Sequence, residues 1–403
     1  MNCKTIIALC SFFLALILQS CNSPKIREND YVRYNPCDKN ATSETIALYR
    51  NLHALASDHI IFGQQDALAY GVGRRRTDTS FCDVYDVTGS YPALTGWDIG
   101  HIEEESNIDS IPFQKIIWLI KAHYSRGGVI TISWHELHPK PGIPVWDSDP
   151  APKRLVPGGD MNESYQQKLK HVAHFFNQLK DNNNRPIPVL FRPFHEHNGD
   201  WFWWGVHNAT EQEYKNLWRY TVAFLRDSLD IHHLLYVYSP DRSNMETASD
   251  RAEFLYGYPG DNFVDVIGLD NYWDVGKAAG LNENYSRHKD DSLFLQSLRT
   301  IVAIAEEKNK IAALTETGLD RVTEPKWFTE RLLAPLEKDT LAGKIAYLQV
   351  WRNAWKSHFY VPYTGHPAVE DFIDFRQSNL ILFEDELPPM YQGSINPVYN
   401  KNE

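Results

Sequence analysis

A strand-then-helix alternation repeated eight times predicts an α/β fold, a single-domain (β/α)8 (TIM) barrel, for this 403-residue chain. Two further observations point the same way. Each strand candidate begins apolar and ends in polar or aromatic residues, as barrel strands do when their C-terminal ends carry a site. No glycine-rich phosphate loop follows the first strand, where "FGQQDALAYGVG" stands, so a doubly wound open sheet fits less well.

The elements follow in order. Lys4 precedes an apolar run, Thr5–Leu18, which is short of the ~20 residues a membrane span needs and reads as an export signal. It ends in "LQSCNS", the Leu-x-Ser-Cys pattern of a bacterial lipoprotein signal, with cleavage before Cys21 and lipid on its sulfur. Residues 1–20 are then a signal peptide, 21–42 a polar, proline-containing tether, and 43–403 the barrel. The lipid makes a membrane one partner, with the folded body in water. The expected location is the bacterial cell envelope, on the outer membrane. "NSPK" after Cys21 lacks the acidic run that marks surface export in some bacteria, which favours the periplasmic side.

The strand candidates are "IIFGQQ" (60–65), "YPALTGWD" (91–98), "GVITISWHE" (128–136), "IPVLFRPFHE" (187–196), "LLYVYSP" (234–240), "DVIGLDNY" (265–272), "IAALTETG" (311–318) and "IAYLQVWRN" (345–353). Helix candidates between them include 162–180, 210–228, 291–308 and 326–337.

Composition narrows the function. A net charge of −12 argues against nucleic acid, because an acidic surface repels phosphates. Of five cysteines, Cys3 and Cys10 fall in the signal and Cys21 at the lipid site. That leaves Cys37 and Cys82 as a candidate disulfide in an exported protein. No Cys/His cluster has zinc spacing.

The 12 tryptophans are unevenly placed. Trp97, Trp134, Trp201, Trp203, Trp204, Trp273, Trp351 and Trp355 fall at or just beyond strand ends. Flat aromatic faces at a cleft suit pyranose rings, whose axial C–H groups pack on them. This placement predicts a carbohydrate ligand.

Two glutamates complete the pattern. Glu196 ends strand 4 and Glu316 ends strand 7, so they can face each other across the barrel mouth. A facing pair is what retaining glycoside hydrolysis needs, one carboxyl protonating the leaving oxygen and the other attacking the anomeric carbon. Glu196, near Phe194, Trp201 and Phe202, has the apolar setting that keeps a proton on a general acid. Glu316, in "TETG", has the polar setting of an ionised nucleophile. Arg192 shares the Glu196 face of a regular strand and can stabilise that charge. "HEH" (195–197) and "HELH" (135–138) raise a metal alternative, but neither is His-Glu-x-x-His. In a regular strand His195 and Glu196 point to opposite faces, so no metal and no cofactor is expected.

"RPFHEHNGDWFWWG" (192–205) resembles the acid/base signature of glycoside hydrolase family 26, mostly β-mannanases. "ITISWHELHP" (130–139), "LDNYW" (269–273), "ALTETG" (313–318) and "QVWRNA" (349–354) accompany it in the family's order, with weaker agreement at "FGQQ" and "VYSPD". The similarity spans roughly 45–390. It implies retaining hydrolysis of β-1,4-mannosidic linkages in mannan, galactomannan, glucomannan or manno-oligosaccharides, with Glu196 as acid/base and Glu316 as nucleophile. It further implies that Tyr272 bonds the nucleophile and that Asp270 lies close by. His135, Arg192, His195, Trp201 and Trp351 then contact the cleaved sugar. Trp134 and Trp146 are further contacts from a loop that varies within the family. His197 stands where the motif often has Met and should point away from the cleft. The same family houses β-1,3-xylanases and mixed-linkage β-glucanases. Within mannanases, cutting inside chains and releasing mannobiose from chain ends are both open. A non-catalytic glycan-binding lipoprotein would keep the tryptophans but need neither glutamate.

Overall fold

The computed structural model describes residues 34–73, 82–140, 142–147, 149–277 and 287–393. The signal, Cys21 and most of the tether lie outside them. Among the described residues no helix is long and apolar enough to cross a membrane.

Eight parallel strands close a barrel: β1 (Ile60–Gln65), β2 (Leu94–Asp98), β3 (Val129–Trp134), β4 (Val189–Pro193), β5 (Leu234–Tyr238), β6 (Val266–Asp270), β7 (Ile311–Thr317) and β8 (Tyr347–Val350). Closure is made by β1, which pairs with β2 from Gly63↔Leu94 and with β8 from Ile61↔Tyr347. Every expected strand is present, β1 at its expected bounds and the others trimmed at one or both ends. A short ninth strand, β9 (Ile381–Leu382), was not expected. It pairs with Ile60 and Ile61, covering the start of β1 on the edge that β2 joins only from Gly63.

Strand alternation sorts the side chains into two apolar layers. Ile61, Leu94, Val129, Leu190, Leu235, Val266, Ile311, Ala313 and Tyr347 form one cluster with Leu48, Leu52 and Leu55 of the helix Ser43–Leu55. This is the barrel interior, closed at its N-terminal end by that helix. The helix starts where the Thr42 side chain accepts from the Thr45 amide, supplying a partner for one orphan N–H. The alternate residues Ile60, Phe62, Ile130, Ile132, Val189 and Phe191 belong to the layer under the outer helices.

The helices run Asn162–Gln178, Glu211–Ala223 and Arg287–Lys308 close to expectation. The helical segment expected at 326–337 is instead a π-helical run, Trp327–Leu333, leading into Ala334–Lys338. Pro335 sits at that junction and has no N–H to offer, so the i→i−4 ladder cannot continue through it.

Two expectations about the N-terminal arm are corrected. Residues 34–42 do not hang free as tether: they lie on the N-terminal end of the barrel, where the Cys37 amide donates to Asp265 Oδ1 (2.6 Å) and His232 Nδ1 contacts Asp38 Oδ2 (2.8 Å). Cys37 and Cys82 form no disulfide. Both are free thiols: Cys37 donates to Asp265 Oδ2 (3.3 Å), while Cys82 is buried before the helix Asp83–Thr88.

Candidate active site

Inward parity places the polar residues of the barrel mouth. Counting by twos up from the interior cluster gives Asp98 on β2, Ser133 and His135 from β3, Arg192 on β4, Asp270 on β6, Thr315 on β7, and Gln349 and Trp351 from β8. At the same level the Gln349 amide donates to Gln65 Oε1 (2.9 Å). Gly96 lies between them, where a Cβ would fall 2.1 Å from that oxygen, so this position has room only for glycine.

Arg192 is the hub. It is 2 % exposed. One guanidinium nitrogen donates to Asp270 Oδ2 (2.7 Å) and Ser239 Oγ (3.2 Å), and the other to Glu316 Oε1. The Tyr272 hydroxyl donates to the second Glu316 oxygen (2.9 Å), and Thr315 Oγ1 donates to Asp270 Oδ1 (2.6 Å). Glu316 is thus held at both oxygens by hydrogen-bond donors.

Glu196 is placed differently. β4 ends at Pro193, and Phe194 (φ 48°) and Glu196 (φ 52°) both adopt left-handed backbone, which ends the strand alternation. Phe194 turns outward and packs edge-on against Trp203, Trp204 and Trp218. The expectation that Phe194 lines the Glu196 side is therefore wrong. The same break lets His195 and Glu196 both reach the mouth, where the His195 ring meets His135 at 4.6 Å.

The Glu196 carboxylate accepts from Trp201 Nε1 (2.9 Å). The Trp201 ring lies over Gly199, where a Cβ would come 2.5 Å from ring carbons. Asn198 ties this loop to β5 by a reciprocal pair with Asp241, its Nδ2 donating to the Asp241 carbonyl and its Oδ1 accepting from the Asp241 amide (2.7 Å each).

Oxygens of Glu196, Asp270 and Glu316 lie within 4.8 Å of one another. Three carboxylates against one guanidinium leave excess negative charge in a buried site, so a proton must be retained. Burial pushes Glu196 well up, and the charges of Asp241, Asp270 and Glu316 add to this against Arg192. Burial and Glu316 also push Asp270 up, with Arg192 opposing. Asp270 accepts from both Arg192 and Thr315, whereas the Glu196 carboxylate has the Trp201 indole. The retained proton therefore belongs on Glu196. By distance these three groups could hold a cation, but Arg192 already serves two of them.

His135 Nδ1 lies 2.7 Å from Asp98 Oδ2. Burial alone would lower its pKa, but the Asp98 charge and hydrogen bond outweigh that and raise it. His195, buried beside Arg192, is held neutral: burial first, then the Arg192 charge, push it well down.

The tryptophans divide. Trp201 and Trp351 are half-buried at the mouth, Trp351 6.4 Å from the His135 ring. Trp146 is 59 % exposed in the loop after β3, which is pinned to the Trp201 loop where the Trp203 amide donates to the Val145 carbonyl (3.2 Å). Trp134 is corrected: it is fully buried against Tyr165, Phe191 and Phe194 and cannot touch a sugar. Trp97, Trp203 and Trp204 are core as well. His197 faces away, stacked on Tyr214 (4.2 Å) with Nε2 at the Tyr256 carbonyl (2.6 Å). Sequence reasoning missed Asp98, Asn198, Ser239, Asp241 and Thr315. Asp98 and Thr315 were findable by parity, since each falls on the inward set of its strand.

A (β/α)8 barrel whose mouth holds a protonated carboxyl beside a clamped carboxylate, ringed by half-buried indoles, has the form of a glycoside hydrolase. The family model described as glycosyl hydrolase family 26 matches residues 37–318, and the chain belongs to that family. It is 34% identical over 370 residues to a mannan endo-1,4-beta-mannosidase of Bifidobacterium adolescentis, covering 86% of this chain and 35% of that protein. It is 32% identical over 203 residues to a mannan endo-1,4-beta-mannosidase of Bacillus subtilis, covering 47% of this chain and 53% of the other. The chain thus spans about a third to a half of the length of these curated relatives. A solved family 26 beta-mannanase from Bacteroides ovatus superposes with a TM-score of 0.78 at 35% identity, covering 87% of this chain and 98% of that one.

Proposed function

We propose that this protein hydrolyses β-1,4-mannosidic linkages in mannan, galactomannan, glucomannan or their oligosaccharides, with retention of configuration. The observation that carries the reading is the carboxylate pair. Glu196 and Glu316 oxygens fall within 4.8 Å, which fits the ~5–5.5 Å of a retaining pair better than the ~6.5–9.5 Å that leaves room for an inverting water. Glu316, clamped by Arg192 and Tyr272, attacks the anomeric carbon as Glu196 delivers its proton to the departing oxygen. Glu196, now ionised, takes a proton from water, and that water releases the sugar from Glu316. The mannan substrate rests on family membership and on the mannanase names of the relatives. Chromatography of oligosaccharides released from galactomannan over time tests it: manno-oligosaccharides must appear with wild type and be absent with Glu316→Ala. Release of only xylo- or gluco-oligosaccharides from xylan or lichenan would overturn the substrate.

We also propose that Cys21 carries a lipid that tethers the barrel to the bacterial envelope, on the support of the "LQSC" stretch alone. Incorporation of labelled palmitate into wild type and its loss in Cys21→Ser test this, and protease treatment of whole cells reports the face of the membrane.

A further inference from the structure

Trp355 lies beyond the mouth residues described above, on the same β8 loop as Trp351. The turn that carries it is tight: the Ala354 amide donates to the His358 carbonyl (3.0 Å) and the His358 amide to the Trp355 carbonyl (2.9 Å). Its base is stapled by Asn353, which is 3 % exposed. Asn353 Oδ1 accepts from the amides of Tyr360 (2.9 Å) and Val361 (3.0 Å), while Nδ2 donates to Asp83 Oδ2 (2.8 Å) and to the Val361 carbonyl (2.9 Å). Both donors and both acceptor positions of the amide are used, so the turn has a fixed shape.

On this fixed turn Trp355 is 50 % exposed. Aromatic contacts connect it to the catalytic centre: Trp355 to His358 at 5.7 Å, His358 to Tyr360 at 5.4 Å, and Tyr360 to Tyr272 at 6.0 Å. Tyr272 in turn bonds Glu316. Trp355 thus sits at the C-terminal end of the barrel, three ring contacts from the residue that bonds Glu316. A rigid, half-exposed indole needs no ordering when a ligand arrives, so the full contact contributes to binding.

We propose that Trp355 is a distal subsite that stacks on a pyranosyl unit of the bound β-glycan, and that it sets a preference for long chains. The flanking Lys356 and Ser357 are exposed and offer donors for hydroxyl groups. The inference rests on the glycan-hydrolysing reading above, and its test separates the two.

The experiment compares kcat/KM over manno-oligosaccharides of increasing length for wild type, Trp355→Ala, Trp355→Phe and Trp118→Ala. Trp118 is 52 % exposed on the outer face of the helix Phe113–Ser125 and controls for loss of a surface indole. Trp355→Ala should leave the shortest substrates unchanged and lose about two- to tenfold on the longest, the scale of one aromatic contact. Trp355→Phe should keep most of the activity and Trp118→Ala all of it. Retardation in native gels containing galactomannan, which needs no turnover, should weaken for Trp355→Ala alone. An equal loss at every length, or no change in either assay, overturns the subsite. Wild type inert on every manno-oligosaccharide would instead sink the mannan reading, and the same length series on the β-glycan it does cleave would then judge Trp355.

Discussion

In the ladder between β6 and β7, Asp270 stands opposite Glu316, whereas the residue before it, Leu269, stands opposite Leu314. Thr315 is the extra residue of a β-bulge. In a regular strand, Ile311, Ala313 and Thr315 would face the interior and Glu316 the outer helices. The bulge lets Thr315 donate to Asp270 and still brings Glu316 into the mouth. On β4 the left-handed Phe194 and Glu196 turn Phe194 outward and bring His195 into the mouth beside Glu196, which already has the inward parity of Arg192. Glu316 stands where an unbroken alternation would not put it, whereas on β4 it is His195 that owes its place in the mouth to the break.

The roles proposed for the two glutamates differ in how a variant responds to the leaving group. Glu196→Ala removes the proton donor, so cleavage of natural linkages should fall by about 10²–10⁴-fold. An aryl glycoside with a good leaving group departs without a proton. Its first step should survive while the second slows, so stopped-flow absorbance should show a burst of phenolate followed by slow turnover. An equal loss on both substrates, with no burst, would assign Glu196 another role.

Tyr272→Phe deletes the hydroxyl that donates to Glu316 Oε2 and leaves the ring in place beside Tyr360. A hydrogen bond to a charged group is worth about 1.5–3 kcal/mol, so kcat/KM should drop by roughly ten- to a hundredfold. The melting temperature should hardly move, because the ring packing is kept. A large fall in stability with normal kinetics would mark Tyr272 as structural.

What was legible in the sequence was what strand periodicity encodes. The eight strands, the helices between them and the two glutamates at the mouth follow from apolar runs that end in polar residues. Parity is legible too, and it sorts the aromatics as well as the polar residues. With His135 inward, Trp134 has to point outward, and with Asp98 inward so does Trp97. The breaks in alternation were not legible, because a bulge at Thr315 and left-handed turns at Phe194 and Glu196 depend on packing across strands rather than on local composition. The cysteines show the same limit. Two thiols in a chain that reads as exported suggest a bond, but Cys37 is committed to Asp265 at the N-terminal end of the barrel and Cys82 is buried at the start of the helix Asp83–Thr88.

The lower barrel can be separated from the chemistry by Leu52→Ala. Leu52 is fully buried in the interior cluster with Ile61, Leu94 and Leu190, and truncation leaves a cavity that the strand ends cannot collapse around. Unfolding free energy in urea should fall by about 2–5 kcal/mol. The kcat should stay near wild type, since the mouth is at the opposite end of the strands. A changed kcat at full stability would show that the plug helix couples to the site.

The protonation of Glu196 yields a prediction with a definite sign. Its pKa is raised by burial and then by Asp241, whose carboxylate accepts from the Ser243 amide (2.7 Å) and hydroxyl. A general acid works only while protonated, so the alkaline limb of kcat/KM follows its loss of the proton in free enzyme. Asp241→Asn removes a negative charge and retains a side-chain oxygen to accept from Ser243. The carboxylate of Glu196 then becomes easier to form, its pKa falls, and the alkaline limb should move to lower pH by roughly one unit. Trp201→Phe acts the other way. It deletes an N–H that stabilises the ionised carboxylate, so the pKa rises and the limb should move to higher pH. The limb position is the readout, because Trp201 also borders the substrate and its loss lowers activity at every pH. Shifts in the same direction for both variants would mean that the limb reports a group other than Glu196.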